Sequence, residues 1–345
     1  MEFLRKLPIP KEIKEQYPIP SDLLEIKKQN DQEIKDILSG KSNKLLLIIG
    51  PCSADVYESV LEYGIKLKEL QEIVKDNIKI IMRVFTNKPR TLSDGYMGMI
   101  HQITPSSKVD LLEGLIACRK LYIDLLTNTK LSLADELLYP QNYRYFSDIL
   151  SYVTLGARSS LNQEHRLVAS GLDIPVGVKN TISGSIKDLT SSIQACQRPH
   201  QFLYRGWEVT TKGNTLAHGI IRGYQDLNGN SLSNINIDYL NELCLKYQNN
   251  NFFNPSIIID VNHDNSGKNY LLQIDNVYKG LDIKYSNKSL NKLIKGFMIE
   301  SYLYDGKCDL NNKQYGVSIT DSCLGFEKTK ELVLEINKII NNNKI

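Results

Sequence analysis

Residue types that bind metals and anions stand at or just beyond the ends of short apolar runs in this chain. The run at 45–49 leads into Gly50-Pro51-Cys52-Ser53, and Ile257-Ile258-Ile259 leads into Asp260 and then His263. Phe297-Met298-Ile299 ends at Glu300, and Asp321, in Ser318-Ile319-Thr320-Asp321, follows beyond the last of these runs. One thiol, one imidazole and two carboxylates suit a single borderline divalent ion: Mn, Fe, Co or Zn. Each residue alone has an ordinary explanation. A buried Cys is usually a small core residue, and an Asp in Ser-Ile-Thr-Asp often caps a helix. What sets them apart is that three stand at expected strand ends and the fourth follows the last strand, positions that converge in a barrel.

The cations repeat the pattern. The run at 78–82 ends at Arg83 and is followed by Lys88-Pro89-Arg90-Thr91. Leu155-Gly156-Ala157 ends at Arg158, the run at 175–178 at Lys179, and Ile220-Ile221 at Arg222. Cations brought together away from water repel one another and lose hydration. A multiply charged anion offsets both costs. Guanidinium groups match phosphate and carboxylate in bidentate fashion, so the expected ligand carries about three negative charges.

Strands that are apolar along their length and polar at the last residue suit a parallel (β/α)8 barrel, a TIM barrel of the α/β class, with its site at one mouth. The spacing predicts strands at 45–49, 78–85, 131–137, up to Arg158, 175–179, 201–204, 257–261 and 296–300. Helices are expected at 111–126, 143–152, 161–170, 186–196, 237–246 and 328–340, with helical spacing also between Val60 and Val74. The segment 207–222 reads as a β insertion around strand six. Residues 1–43, punctuated by Pro8, Pro10, Pro18 and Pro20, read as an N-terminal extension with a helix over 21–38, and residues 44–345 as the catalytic barrel. The extension is expected to cover the barrel floor or to reach another subunit. An open doubly wound sheet is the rival, but no glycine-rich phosphate loop follows any strand.

Composition excludes several classes. Of the 345 residues, 41% are apolar and 23% charged, as in ordinary globular proteins. A net charge of +3 gives no argument for nucleic acid or a membrane surface. No run approaches the roughly 20 apolar residues of a membrane span, and residues 1–6 lack a signal peptide's apolar core. Six scattered cysteines without a C-x-x-C pair are expected to be reduced thiols in the cytoplasm.

The local motifs resemble the type I 3-deoxy-D-arabino-heptulosonate 7-phosphate (DAHP) synthases. The resemblance rests on Gly50-Pro51-Cys52-Ser53, Met82-Arg83-Val84 with Lys88-Pro89-Arg90-Thr91, and Gly156-Ala157-Arg158-Ser159. It extends to Pro175-Val176-Gly177-Val178-Lys179, Ile221-Arg222-Gly223, Asp260-Val261-Asn262-His263, Ile299-Glu300-Ser301 and Thr320-Asp321, in the family's order over nearly the whole chain. It implies a metal held by Cys52, His263, Glu300 and Asp321. It implies phosphoenolpyruvate on Arg83, Lys88, Arg158, Lys179 and Arg222, and erythrose 4-phosphate along Lys88, Pro89, Arg90, Thr91 and Asp321. Lys88 would donate to the aldehyde oxygen, and His263 or Glu136 would deprotonate the water.

The resemblance further implies shikimate-pathway chemistry, a homodimer or homotetramer, and an aromatic amino acid as inhibitor. The sequence departs from the family pattern at Tyr302, where a His is usual, and at Asp55, which is displaced. The alternatives are a 3-deoxy-octulosonate 8-phosphate synthase and a non-catalytic barrel that binds aromatic amino acids. The string Lys88-Pro89-Arg90-Thr91 argues against the first, and the intact set of metal and anion residues against the second.

Overall fold

The structure, a computed structural model, describes residues 1–89 and 95–343. The extension carries α1 (Pro10–Gln16) and α2 (Ser21–Leu38). The barrel begins with β1 (Leu45–Gly50), α3 (Tyr57–Val74), β2 (Ile78–Arg83), α4 (Leu111–Thr129), β3 (Ser132–Glu136) and β4 (Tyr152–Leu155). It continues through α5 (Gln163–Ala169), β5 (Val176–Lys179), α6 (Ile186–Gln197), and a hairpin of β6 (Gln201–Tyr204) with β7 (Trp207–Thr210). Then come β8 (His218–Ile221), the short β9 (Tyr224–Gln225) and β10 (Ser231–Leu232), and α7 (Ile237–Asn249). The chain finishes with β11 (Ile257–Asp260), α8 (Leu272–Ser286), α9 (Lys288–Leu293), β12 (Ile294–Glu300) and α10 (Phe326–Asn342).

Eight parallel strands close a barrel in the order β1-β2-β3-β4-β5-β8-β11-β12. Every residue of β1 is buried, because the strand faces the barrel interior on one side and helices on the other. Its alternation is clean. Leu46 and Ile48 pack inside with Ile81, Ala134, Tyr152, Ile220, Ile258 and Met298, while Leu45, Leu47 and Ile49 pack outward. Ile34, Ile37 and Leu38 of α2 join the interior cluster, so α2 covers the barrel floor. Side-chain caps start the surrounding helices: Asp110 accepts from the Leu112 and Glu113 amides, and Ser185 from Asp188.

Two expected elements differ. Residues 143–152 form only a 3-10 turn at Tyr143–Tyr145 instead of a helix. Arg119 donates to the Tyr145 carbonyl at 2.9 Å and forks onto Asp148 at 3.0 and 2.9 Å, while the Tyr145 hydroxyl donates to Pro8. Arg119 thus takes up a backbone carbonyl that a helix would have bonded itself, and the side-chain bonds anchor the segment to α4 and the extension. Residues 201–204 are a strand, but not the sixth barrel strand. Their exposure alternates, and they pair antiparallel with β7 outside the barrel. His218–Ile221, buried on both faces, takes the sixth place. Helices α1 and α9 are too short for spacing to mark them, and α8, in which Ile274, Val277, Tyr278 and Leu281 recur at helical spacing, adds a helix to those expected.

Candidate active site

All eight barrel strands deliver a polar side chain to the same mouth. The glycine at the end of β1 makes the first contact possible. A Cβ at Gly50 would overlap the carbonyl oxygen and Cγ of Arg83, so only glycine lets β1 pass this close to β2. Arg83 then lies fully buried. Its Nε donates to the Pro51 carbonyl at 3.1 Å and its Nη2 to the Cys52 carbonyl at 3.3 Å. Nη2 also meets Glu300 Oε1 at 2.9 Å, and the guanidinium lies 4.0 Å from the centre of the Phe85 ring. Nη1 is buried without a partner.

Glu300 ends β12 and is held on every side. Asn262 Nδ2 donates to its Oε2 at 2.6 Å, and Gln273 bonds its backbone at both N–H and C=O. Burial works against its charge, but Arg83 and His263 outweigh it and hold the carboxyl below its ordinary pKa. His263 follows β11 in a 3-10 turn with φ +50°, a left-handed conformation unusual outside glycine. Its Nδ1 faces Asp260 at 2.9 and 3.0 Å, and its Nε2 lies 3.7 Å from Glu300 Oε1. A carboxylate only accepts, so Nδ1 carries the hydrogen and Nε2 is left to face the carboxylates.

Asp260 also meets Lys179 Nζ, at the end of β5, at 3.1 Å. Burial opposes its ionisation, yet His263, Lys179 and Arg83 prevail and keep it ionised well below the usual range. Arg222, one residue past β8, pairs with Asp264, whose other oxygen accepts from Gln225 at 3.1 Å and Ser231 at 2.7 Å. Lys88 lies five residues beyond β2, with Nζ 3.1 Å from Cys52 Sγ. Burial lowers the pKa of Lys88, but Cys52 and Glu300 raise it by more. Burial and Glu300 push the Cys52 thiol up, against the pull of Lys88.

These groups surround one cavity of about 370 Å³. Cys52, Lys88, Pro89, Glu136, Arg158, Lys179, Arg222, His263 and Asp321 all line it. Arg83 and Glu300 are buried and do not line it. Glu136 ends β3, and a Cβ at Gly156 would overlap its Oε1, so that glycine leaves room for the carboxylate. Arg158 differs from the expectation of a buried cation. It stands three residues past β4 in a turn and is exposed at the rim. Arg90 and Thr91 lie outside the described residues.

The cavity also takes in Lys268, which meets Asp321 at 3.4 Å, with Asp264 and Gln225, none of which the sequence singles out, and Ser159 and Thr320, which it places in motifs without a role. Asp264 stands beside His263 in sequence, but its partners come from 42 and 33 residues away, and no local signal marks them. Cys52, Glu300 and Asp321 each bring a donor atom within 4.8 Å of the others. All six cysteines are free thiols.

Comparison with known proteins bears on this geometry directly. Residues 23–334 match the model of the DAHP synthetase I family. The phospho-2-dehydro-3-deoxyheptonate aldolase of Haemophilus influenzae is 34% identical over 94% of this chain and 89% of its own. The Tyr-sensitive and Phe-sensitive enzymes of that name from Escherichia coli are each 33% identical over 96% of this chain, covering 92% and 94% of their own. The solved structure of the Francisella tularensis phospho-2-dehydro-3-deoxyheptonate aldolase superposes with a TM-score of 0.90, at 30% identity over 100% of both chains. The chain is thus an enzyme, and it belongs to the DAHP synthetase I family.

Proposed function

We propose that this enzyme joins phosphoenolpyruvate to D-erythrose 4-phosphate, with water, to give 3-deoxy-D-arabino-heptulosonate 7-phosphate and phosphate. This is the aldol-type condensation that opens aromatic amino acid biosynthesis. The observation that carries the reading is one cavity lined both by the cations Lys88, Arg158, Lys179 and Arg222 and by the donors Cys52, His263 and Asp321, with Lys88 Nζ 3.1 Å from Cys52 Sγ. The first set suits a small trianion, the second a metal beside it.

The donor chemistry supports one divalent ion, Mn, Fe, Co or Zn, on Cys52, His263, Glu300 and Asp321. Three of the donors already lie within 4.8 Å of one another, and Asp260 orients the imidazole as carboxylates do behind metal-bound histidines. When bound, the ion supplies Lewis acidity toward the aldehyde oxygen. Arg83, Lys88, Arg158, Lys179 and Arg222 take the phosphate and carboxylate of phosphoenolpyruvate and fix its plane against the aldehyde, which is mainly positioning. Lys88, Pro89, Arg90, Thr91 and Asp321 take the sugar phosphate. Lys88 Nζ donates a proton to the aldehyde oxygen as it becomes an alkoxide. Glu136 or His263 takes the proton of the water that adds to the enol-derived carbon, and phosphate leaves by carbon–oxygen cleavage.

Residues 1–43 we assign to subunit contact and regulation in a homodimer or homotetramer, with an aromatic amino acid as inhibitor. Phe3 is 95% exposed and Leu4 85%, as are Leu203 (78%) and Trp207 (74%) on the β6–β7 hairpin, an apolar set that suits an interface. Relatives are named Tyr-sensitive and Phe-sensitive.

The deciding assay follows phosphoenolpyruvate consumption with erythrose 4-phosphate, with arabinose 5-phosphate, and with EDTA. Consumption only with the four-carbon sugar, abolished by EDTA and restored by metal, is expected. Preference for arabinose 5-phosphate would favour the octulosonate reaction, and no consumption with either would overturn the reading. Titrating each aromatic amino acid into the same assay, with sedimentation for subunit number, tests the regulatory part.

A further inference from the structure

We propose that Asp135 is a positioning residue that holds Lys88 and Glu136 in register across the cavity. The idea rests on the reaction proposed above, which gives both residues work to do.

Asp135 is buried, and no cation pairs with it among the described residues. An isolated buried carboxylate is costly unless hydrogen bonds replace its water. Here four donors do so. Thr86 supplies two, its amide at 3.0 Å to Oδ1 and its hydroxyl at 2.6 Å to Oδ2. The Tyr122 hydroxyl, reaching in from α4, donates to Oδ2 at 2.6 Å, and the Glu136 amide donates to Oδ1 at 2.7 Å. Bonds to an ionised acceptor are short, strong and directional. A pair of apolar side chains would join β3 to the segment after β2 at less cost, but without fixing an angle.

The joint sits where an angle matters. Glu136 is the next residue after Asp135, and Lys88 is two residues after Thr86. The Lys88 amide is tied in turn to the Met97 carbonyl at 3.0 Å. One side of the joint therefore carries the ammonium that meets Cys52, and the other carries the carboxylate packed against Gly156. A shift of about 1 Å in a group that orients reactants costs up to about a hundredfold in rate. Asp135 touches no substrate-facing atom itself and acts through its neighbours.

Thr86→Val keeps the side-chain shape and the amide bond but removes one donor, and Thr86→Ser restores the hydroxyl. Both variants are compared with the unsubstituted protein for kcat, for KM of each substrate, and for competitive acetylation of Lys88 followed by peptide mapping. We expect Thr86→Val to lower kcat by about tenfold or more and to raise KM for the aldehyde phosphate. KM for phosphoenolpyruvate should stay within about twofold, and Lys88 labelling should change. Thr86→Ser should recover both. Unchanged kinetics and labelling in Thr86→Val, a lowered melting temperature as its only effect, or Thr86→Ser as impaired as Thr86→Val would each overturn the proposal. Should the unsubstituted protein turn over neither substrate, the assigned reaction fails, while Lys88 labelling still decides the positioning role.

Discussion

The Tyr302 hydroxyl donates to Asp55 Oδ1 at 2.7 Å, both residues being buried. Tyr302 lies two residues beyond Glu300, and Asp55 three beyond Cys52. Two of the positions at which the motifs depart from the expected pattern therefore contact each other, and the bond ties together the segments that carry two candidate metal donors. Ser59 Oγ lies 2.6 Å from the same hydroxyl and completes the group.

Removing that hydroxyl should loosen the tie. In Tyr302→Phe, a buried carboxylate loses a donor while its Oδ2 already has no partner. The expected loss is roughly 1–3 kcal/mol of stability, read by urea denaturation. Support behind metal ligands typically contributes about tenfold or more in metal affinity, so chelator competition should show weaker retention of Zn or Mn. Unchanged stability and retention would mean the bond is incidental.

Cys52→Ala removes the thiol donor and leaves a small side chain in a buried place. The variant should keep its circular dichroism spectrum but lose metal during gel filtration, and added metal should no longer activate it. Full activity after exhaustive chelation would show that no metal is needed.

Gly50→Ala tests the close passage of β1 over β2. The added methyl would overlap Arg83 atoms, and one of those atoms is backbone, which cannot swing away. Forced overpacking costs roughly 1–3 kcal/mol. Displacing Arg83 should also weaken phosphoenolpyruvate binding more than binding of the sugar phosphate. Equilibrium binding of each substrate to the folded variant provides the check, and equal affinities to the unsubstituted protein would contradict it.

His218 gives stability a pH dependence that can be isolated. It lies inside the barrel, with Nδ1 2.8 Å from the Leu216 carbonyl and Nε2 2.7 Å from the Tyr152 hydroxyl. The carbonyl must accept from Nδ1–H, and because burial keeps the ring neutral Nε2 accepts from Tyr152. Burial pushes its pKa down to about 4, from an ordinary 6.5. Between those values the unfolded chain takes up a proton that the folded one refuses. Stability from this group is thus complete above about pH 6.5 and falls as pH drops toward 4, by up to about 3 kcal/mol. His218→Gln should show a smaller loss between pH 7 and 4.5 in urea titrations; an unchanged slope would refute the assignment.

Most of the barrel and the residue types at its mouth were legible in the sequence. The strands at Leu45–Gly50 and Ile257–Asp260 are buried on both faces, so their apolar runs stand out against any loop, and their polar terminal residues mark the mouth. Helix α2 could be bounded from the sequence, because prolines precede it and apolar residues at 23, 24, 26, 34 and 37 recur on either side of the polar stretch Lys27–Glu33. Cys52, Lys179, Glu300 and the rest were nameable because motif and position coincide.

Tertiary structure decided what depends on partners distant in sequence. Gln201–Tyr204 and His218–Ile221 are both strands by local preference, and only burial on two faces assigns one to the barrel. Arg158 follows an apolar run like Lys179, but the turn carries it to the exposed rim, while Lys179 finds Asp260 81 residues away. Asp135 and Asp264 carry no sequence mark, and nothing in the sequence marks Asp55 and Tyr302 as partners of each other. Their charge and hydrogen bonds are satisfied by groups 13 to 247 residues away, and a local pattern holds no information about which distant donor a closed barrel will bring within 3 Å.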